Sequence, residues 1–132
     1  MILGIGTDLV TIDRISSIVA GRTSDRFIRR ILTEKERELT SGMNHGRLVT
    51  FIAGRFAAKE AVVKALGCGI GRLVGFQDIE ILPDEAGRPH CFLSAKARER
   101  LQLPHTAKVH VSITHSDLHA AAFAVWEQRS AP

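Results

Sequence analysis

The chain has 132 residues, of which 45% are hydrophobic and 24% charged, a composition typical of one globular domain with its own core. Its net charge of +4 suits anionic partners, but aromatic residues make up only 5% and tyrosine is absent, which argues against a base-stacking surface and a nucleic-acid partner. No run reaches the roughly 18 apolar residues of a membrane span, and the first residues lack a signal peptide's basic region. We therefore expect a cytoplasmic protein that binds neither nucleic acid nor membrane.

The first half of the chain predicts one buried strand followed by helices. The apolar run from Ile2 to Val10 contains Gly4 and Gly6, and glycine inside a strand often marks a close approach of another backbone. Short helices are predicted from N-caps at Thr11 and Ser24, and a third begins at the capping box of residues 33–36. A longer central helix is predicted over residues 47–66, where Gly67 would end it.

The central helix is predicted to be apolar on two sides. One apolar stripe comprises Ala58, Ala61, Val62 and Ala65. Glu60 and Lys64, four residues apart, share the other side, where Phe56 and Val63 flank them. An exposed Glu/Lys pair of this spacing is common, but the flanking Phe56 favours a helix that faces both its own core and a site or partner.

The second half predicts mainly antiparallel hairpins. Strands are predicted over residues 77–82, 89–93, 108–115 and 118–126, with a short basic helix from Ser94 to about Leu101. The glycine-rich segment 67–71 follows a helix instead of preceding one, so it does not have the arrangement of a nucleotide-binding loop. The order of elements predicts an α+β fold, with an antiparallel sheet and a long central helix. Residues 1–127 form the expected domain, and residues 128–132 a frayed tail.

Three groups of polar residues could carry chemistry. Asp8 at a strand end and Glu60 on the central helix could together hold Mg²⁺, which proteins bind through one or two carboxylates plus substrate phosphates. His115, after Ser112 and Thr114, could place several polar groups at one end of a strand for a phosphate or ribose. The arginines of residues 22–30 form either a solvated helix face or a surface for an acidic partner.

Three segments, in this order, closely resemble the short bacterial type of phosphopantetheinyl transferase, the holo-[acyl-carrier-protein] synthases. The segments are Gly4-Ile5-Gly6-Thr7-Asp8-Leu9-Val10 with Asp13-Arg14-Ile15, Arg55-Phe56-Ala57-Ala58-Lys59-Glu60-Ala61 with Lys64-Ala65-Leu66-Gly67, and Val111-Ser112-Ile113-Thr114-His115-Ser116. Their spacing spans nearly the whole chain, and the central helix segment is the most specific. The resemblance implies the fold of that family.

The resemblance also implies a reaction and a set of residue roles. The phosphopantetheine arm of coenzyme A would move to a serine of apo acyl carrier protein, in support of fatty acid biosynthesis. Asp8 and Glu60 would be catalytic ligands of Mg²⁺, and Lys64 would stabilise or protonate the leaving phosphate. Coenzyme A would be bound by Lys64, Gly67 and His115, and the carrier protein by Arg14; we expect Arg26, in the basic patch of residues 22–30, to join Arg14. Members of the family are homotrimers with sites between subunits.

Two other functions are open from the residues alone. A small basic nucleic-acid-binding module would account for the charge, and a Mg²⁺-dependent phosphohydrolase could use the same two acids. The general base of the transfer is also open between Glu60 and a metal-bound water.

Overall fold

A long helix, α4, lies across one face of a three-stranded antiparallel sheet in the computed structural model, which describes residues 1–130. The strands are β1 (Ile2–Thr11), β2 (Ile79–Pro83), β3 (Pro89–Leu93), β4 (Ala107–His115) and β5 (His119–Gln128). The helices are α1 (Ile12–Ala20), α2 (Ser24–Ile31), α3 (Glu34–Glu38), α4 (His45–Ala65) and α5 (Ala95–Arg100), with a 3₁₀ turn at Phe76–Asp78.

The three-stranded sheet has the order β1-β5-β4, so β1 and β4 are its two edges. Strands β2 and β3 form a separate antiparallel hairpin. Both sheets are antiparallel throughout, which confirms the predicted α+β class with its long central helix. No helix within residues 1–130 is long and apolar enough to cross a membrane.

Two glycines in β1 allow α4 to lie directly on this strand. A Cβ atom on Gly4 would lie 1.8 Å from the carbonyl oxygen of Ala65, and one on Gly6 would lie 1.9 Å from that of Ala61. Any side chain at either position would therefore force the helix away from the sheet. Asp8 follows two residues later on the same face of β1, which brings its carboxylate to the flank of α4.

The second apolar side of α4 is covered by the chain itself. Val63 is completely buried, and Phe56 is half-buried, with its ring stacked on that of Phe76 at a centroid distance of 5.6 Å. The expectation that this side of α4 faces a site or partner is therefore wrong for Val63, and Phe56 packs against the 3₁₀ turn.

Lys59 on α4 and Glu36 on α3 form an ion pair whose side chains are both fully buried, 2.7 Å apart. The Lys59 ammonium also donates to the carbonyl oxygens of Ile31 (2.7 Å) and Phe76 (3.1 Å), which occupies all three of its protons. Glu36 accepts from the backbone N–H groups of Thr33 (2.7 Å) and Ile81 (2.9 Å). This cluster joins α2, α3, α4, the 3₁₀ turn and β2.

Several predicted element ends require correction. The capping box at Thr33 and Glu36 is confirmed, but Thr11 makes no side-chain capping bond and the N-cap of α2 is Thr23 instead of Ser24. Helix α4 begins two residues earlier than predicted because Asn44 caps it. Strand β5 continues to residue 128, so the predicted tail 128–132 overlaps it, and residues 131–132 lie outside the described residues.

Candidate active site

Asp8, Glu60 and Lys64 come together where α4 crosses the edge strand β1. The Lys64 ammonium donates to Asp8 Oδ1 at 3.2 Å and to the carbonyl oxygen of Thr7 at 3.0 Å. Two of its three protons are thereby used, and the third is free for another acceptor. The Asp8 side chain is 18% exposed and that of Lys64 is 53% exposed, so the cluster opens to solvent.

Glu60 lies in the electrostatic field of both neighbours. Partial burial raises the pKa of its carboxyl group, the negative charge of Asp8 raises it further, and Lys64 opposes this rise. The two carboxylates are therefore close enough to repel each other, and one shared ammonium does not fully compensate them. A divalent cation between them would relieve this repulsion.

The donor set of this cluster fits Mg²⁺. Across residues 1–130 no group of three or more His, Cys, Asp or Glu side chains could hold a metal ion, so the protein would supply only two carboxylates here. Mg²⁺ retains several waters and is commonly held by one or two carboxylates together with substrate phosphates. Asp8 and Glu60 would hold the ion, whose charge would neutralise a bound diphosphate.

Gly67 ends α4 just beyond Lys64. Its φ of 79° lies in the left-handed region that glycine adopts without strain. The N–H of Gly67 donates to the Lys64 carbonyl at 3.1 Å, and that of Cys68 donates to the Val63 carbonyl at 2.9 Å, which is the Schellman pattern. A Cβ atom on Gly67 would meet nothing within 4 Å, so the backbone here is open to a ligand.

His115 lies elsewhere, in a cleft of about 420 Å³ on the β4 side of α4. Its neighbours in the cleft include Arg47, Thr50 and Arg55 of α4. The side chains of Ser112 and Thr114 do not join it, because alternation along β4 places them on the opposite face of the sheet. The expected convergence of these three polar residues is therefore wrong.

Arg47 and Arg55, which were not among the predicted site residues, supply positive charge to this cleft. Arg55 is held in place by its Nε, which donates to the Ile81 carbonyl at 3.3 Å, and by the ring of Phe51, 4.3 Å from its guanidinium. The two arginines are eight residues apart, about two helical turns, and therefore share a face of α4. That spacing is the signal that could have identified them.

Within one chain, His115 and Asp8 lie on opposite edges of the sheet. They occupy β4 and β1, and β5 lies between these strands. Two strand spacings separate the edges by about 9–10 Å, and α4 lies between the two side chains. One chain therefore presents two half-sites, a carboxylate–lysine cluster at β1 and a cationic cleft at β4.

Arg14 on α1 and Arg26 on α2 are both exposed. Neither forms an ion pair within the described part of the chain, whereas Arg29 is bound to Asp25 at 3.0 Å and Arg30 lies over the Phe76 ring. The basic surface that remains free for a partner is thus smaller than the sequence indicated.

Known proteins resemble this chain over the segment that contains these residues. The model of the 4'-phosphopantetheinyl transferase superfamily matches residues 4–125, which include both half-sites. The chain belongs to this superfamily. The predicted resemblance is thereby confirmed, and so is the prediction that the chain is a phosphopantetheinyl transferase.

Relatives match this transferase over nearly its whole length. A holo-[acyl-carrier-protein] synthase of Bacillus cytotoxicus is 45% identical over 130 residues, 98% of this chain and 99% of the relative. A crystal structure of a holo-(acyl-carrier-protein) synthase from Bacillus anthracis in complex with CoA (3',5'-ADP) has 43% identity and a TM-score of 0.83, covering 98% of this chain and 99% of that one. The Helicobacter pylori enzyme in complex with coenzyme A has 33% identity and a TM-score of 0.80, covering 93% and 99%.

Proposed function

We propose that this transferase moves the phosphopantetheine group of coenzyme A to a serine of apo acyl carrier protein, with Mg²⁺, in the cytoplasm and in support of fatty acid biosynthesis. The observation that carries this proposal is the cluster of Asp8, Glu60 and Lys64 on a chain that is 45% identical to a holo-[acyl-carrier-protein] synthase over 98% of its length. Two carboxylates whose negative charge is only partly balanced by one lysine suit a reaction at a diphosphate, because they can hold a metal ion there.

The transfer replaces a phosphoanhydride bond of coenzyme A with a phosphodiester bond to serine. The serine oxygen forms a bond to the phosphorus of the pantetheine phosphate, and the bond to the bridging oxygen breaks, which releases adenosine 3',5'-bisphosphate. Lys64 has one ammonium proton free to donate to the leaving phosphate oxygen. The serine proton must be accepted, and the acceptor is either Glu60 or a water beside the ion.

The bisphosphate end of coenzyme A would bind in the cleft at β4. Arg47, Arg55 and His115 converge there, and the planar guanidinium groups of arginine suit phosphate oxygens. Gly67 would contribute open backbone beside the diphosphate. Because the cleft and the carboxylates lie on opposite edges of one sheet, one coenzyme A molecule would bridge two chains.

The reaction is tested by mass spectrometry of apo acyl carrier protein incubated with the enzyme, coenzyme A and Mg²⁺. We expect the carrier protein to gain one phosphopantetheine, and we expect Glu60→Gln to abolish the gain while an exposed control, Lys35→Gln, retains it. Release of adenosine bisphosphate without a modified acceptor would indicate a phosphohydrolase, and salt-sensitive nucleic-acid binding without transfer would favour the binding module.

The proposed assembly is a homotrimer, supported by an open apolar face of the sheet. Alternation along the strands turns one face away from α4, and large side chains on it are between 42% and 68% exposed: Leu3, Ile5, Leu9 and Phe123. An uncovered apolar surface of this kind marks a protein–protein interface, and identical copies could bury it against one another. This face replaces the second side of α4 as the reason to expect oligomers.

Shared sites can be tested by mixing inactive variants. His115→Ala and Glu60→Ala chains, each inactive alone, should regain part of the activity when they exchange subunits, because some mixed sites would contain both wild-type residues. Sedimentation should show a trimer. A fully active monomer at assay concentration would contradict the proposal.

Arg14 and Arg26 are proposed to bind the acidic carrier protein. Replacing both by glutamate should raise the KM for carrier protein and leave that for coenzyme A unchanged. The effect should decrease as salt is added, since exposed charges are screened over about 8 Å at physiological ionic strength. A defect confined to coenzyme A would contradict this assignment.

A further inference from the structure

A second cleft, of about 560 Å³, lies between the β2–β3 hairpin, α5 and the beginning of β4. Basic side chains from four separate parts of the chain line it: Arg88, His90, Arg98, Lys108, His110 and Arg129. No aspartate or glutamate lines this cleft within the described residues, although 14 of the 132 residues in the chain are acidic. The positive charge of the cleft therefore results from how the fold places these side chains, because the chain as a whole contains many acidic residues.

The cationic side chains divide into fixed and free ones. Arg98 is fixed because its guanidinium donates to the carbonyl oxygens of Pro104 at 3.4 Å and Ala107 at 3.2 Å. Arg129 contacts Glu127 at 3.4 Å. Arg88 and Lys108 form no ion pair and no side-chain hydrogen bond within residues 1–130, so their full charge is available to a ligand.

Both histidines of the cleft are hydrogen-bonded to a carboxylate that does not line the cleft. His90 is bonded to Asp84 at 2.9 Å and His110 to Glu127 at 2.9 Å. These bonds lower the pKa of each carboxyl group, so both acids are ionised at neutral pH. Glu127 also contacts Arg129 and partly neutralises it, whereas neither acid forms an ion pair with Arg88, Arg98 or Lys108 within residues 1–130.

The floor of the cleft is uncharged. Burial raises the pKa of the Cys91 thiol to about 12, so it remains protonated at neutral pH. The neighbouring Phe92 ring is 55% exposed and supplies a flat apolar wall. A volume of several hundred Å³, an apolar wall and a few converging charges are the features of a small-molecule site.

We propose that this cleft is a binding site for a small phosphorylated anion, separate from the catalytic cluster and from the cleft at His115. It lies beside residues 108–111 at the beginning of β4, whereas His115 ends the same strand. Arginine guanidinium groups form paired, charge-assisted hydrogen bonds to phosphate oxygens. The cations surround one hollow instead of following a line, which favours a compact anion over an extended acidic peptide.

Inorganic tripolyphosphate is a suitable probe, titrated calorimetrically into the full chain without divalent cations. Arg88→Gln/Lys108→Gln removes the two free cations and should raise the Kd at least tenfold, about the loss expected for one charge-assisted contact. The matched control Lys35→Gln/Arg72→Gln makes the same change in net charge at exposed positions outside the cleft and should change the Kd less than about twofold, the remaining effect of screened long-range charge.

Two further titrations locate the site and identify the ligand class. Tripolyphosphate should also bind in the cleft of Arg47 and His115, which is proposed to take phosphates, so the titration should show two binding events. Arg47→Gln/His115→Gln should weaken one event and leave unchanged the Kd of the other, which Arg88→Gln/Lys108→Gln weakens. The proposal is overturned if both variants weaken the same event, if the matched control loses as much as the cleft variant, or if a hexaglutamate peptide binds more tightly than tripolyphosphate. Because the readout is binding and not transfer, failure here leaves the proposed function unaffected.

Discussion

Helix α4 carries two lysines five residues apart, each paired with a carboxylate of another element, and the two pairs have opposite character. Lys59 and Glu36 are fully buried, and all three ammonium protons of Lys59 and both carboxylate oxygens of Glu36 have hydrogen-bond partners. Lys64 and Asp8 are partly exposed, and Glu60 beside them is incompletely compensated.

The difference shows how one helix serves both the fold and the site. A buried charge must be paired and hydrogen-bonded, so Lys59 fixes the position of α4 against α3 and β2. An exposed pair contributes little to stability and can exchange its partner for a substrate or an ion. Substitutions in the two pairs should therefore differ, with the largest loss of stability at the buried pair.

Lys59→Met should destabilise the fold by about 3–5 kcal/mol, because it leaves the Glu36 carboxylate buried without a cation. Lys64→Met is the matched control on the same helix and should cost at most about 1 kcal/mol, as for other exposed pairs. Urea unfolding monitored by circular dichroism measures both.

The double variant Lys59→Met/Glu36→Gln separates the lost pair from the buried charge. It should be more stable than Lys59→Met alone, because the carboxylate that lacks a cation has been removed. Equal destabilisation by Lys59→Met and Lys64→Met would show that the two pairs do not differ in the way their burial indicates.

Asp8→Asn and Glu60→Gln should each reduce kcat by about 10²-fold or more, since each removes a negative ligand from the proposed Mg²⁺ site. Neither should unfold the protein. Glu60→Gln should even stabilise it slightly at neutral pH: its pKa is raised in the folded state, so the ionised carboxylate disfavours folding once the pH exceeds its unfolded pKa.

Transfer assays and urea unfolding of the same preparations check both expectations. Near-normal activity of either variant at moderate Mg²⁺ would remove that residue from the proposed metal site. A large loss of stability would instead assign Glu60 a structural role like that of Lys59.

Much of the fold was predictable because its signals are local. Hydrophobic periodicity and the glycines that end helices and turns predicted the order of elements. The capping box of Thr33 and Glu36 was recognisable because it lies within four consecutive residues. The close approach of α4 to Gly4 was also foreseen from glycine inside an apolar run. The N-cap of α1 was placed correctly at Thr11 and that of α2 one residue too late, but neither observed cap residue makes a side-chain bond, because a hydroxyl residue before a helix need not direct its oxygen at the helix end.

The pairing of the lysines was not predictable, because it depends on contacts distant in sequence. Glu60 and Lys64 look like a helical pair, yet Lys64 bonds to Asp8, 56 residues away. Lys59 bonds to Glu36 across 23 residues, and no local pattern joins the two because they lie on separate helices. The resemblance implied roles for Asp8, Glu60, Lys64 and His115 and sites between subunits, and the structure adds that within one chain His115 lies at the β4 edge and the other three at the β1 edge.

Lys64→Ala should lower kcat about tenfold or more and change the KM for coenzyme A less, if its free proton serves the leaving phosphate mainly in the transition state. Lys64→Arg should restore activity poorly, because a guanidinium group does not give up its proton. Steady-state kinetics at saturating carrier protein separates the two parameters. A higher KM with unchanged kcat would show that Lys64 only binds the ground state.

The smallest expected effect is a change in the pKa of Glu60 when its neighbour Asp8 loses its charge. The charge of Asp8 raises the pKa of Glu60, so Asp8→Asn should lower that pKa toward the ordinary range, although burial of Glu60 will keep part of the rise. Carboxyl chemical shifts of Glu60 in the metal-free protein, followed by NMR during an acid titration, measure the shift directly. Glu34→Gln is the control, because this exposed carboxylate of α3 does not act on the pKa of Glu60 and its loss should leave the titration of Glu60 unchanged. An unchanged pKa in Asp8→Asn would mean that the two carboxylates do not share one field, and the argument for a cation between them would fail.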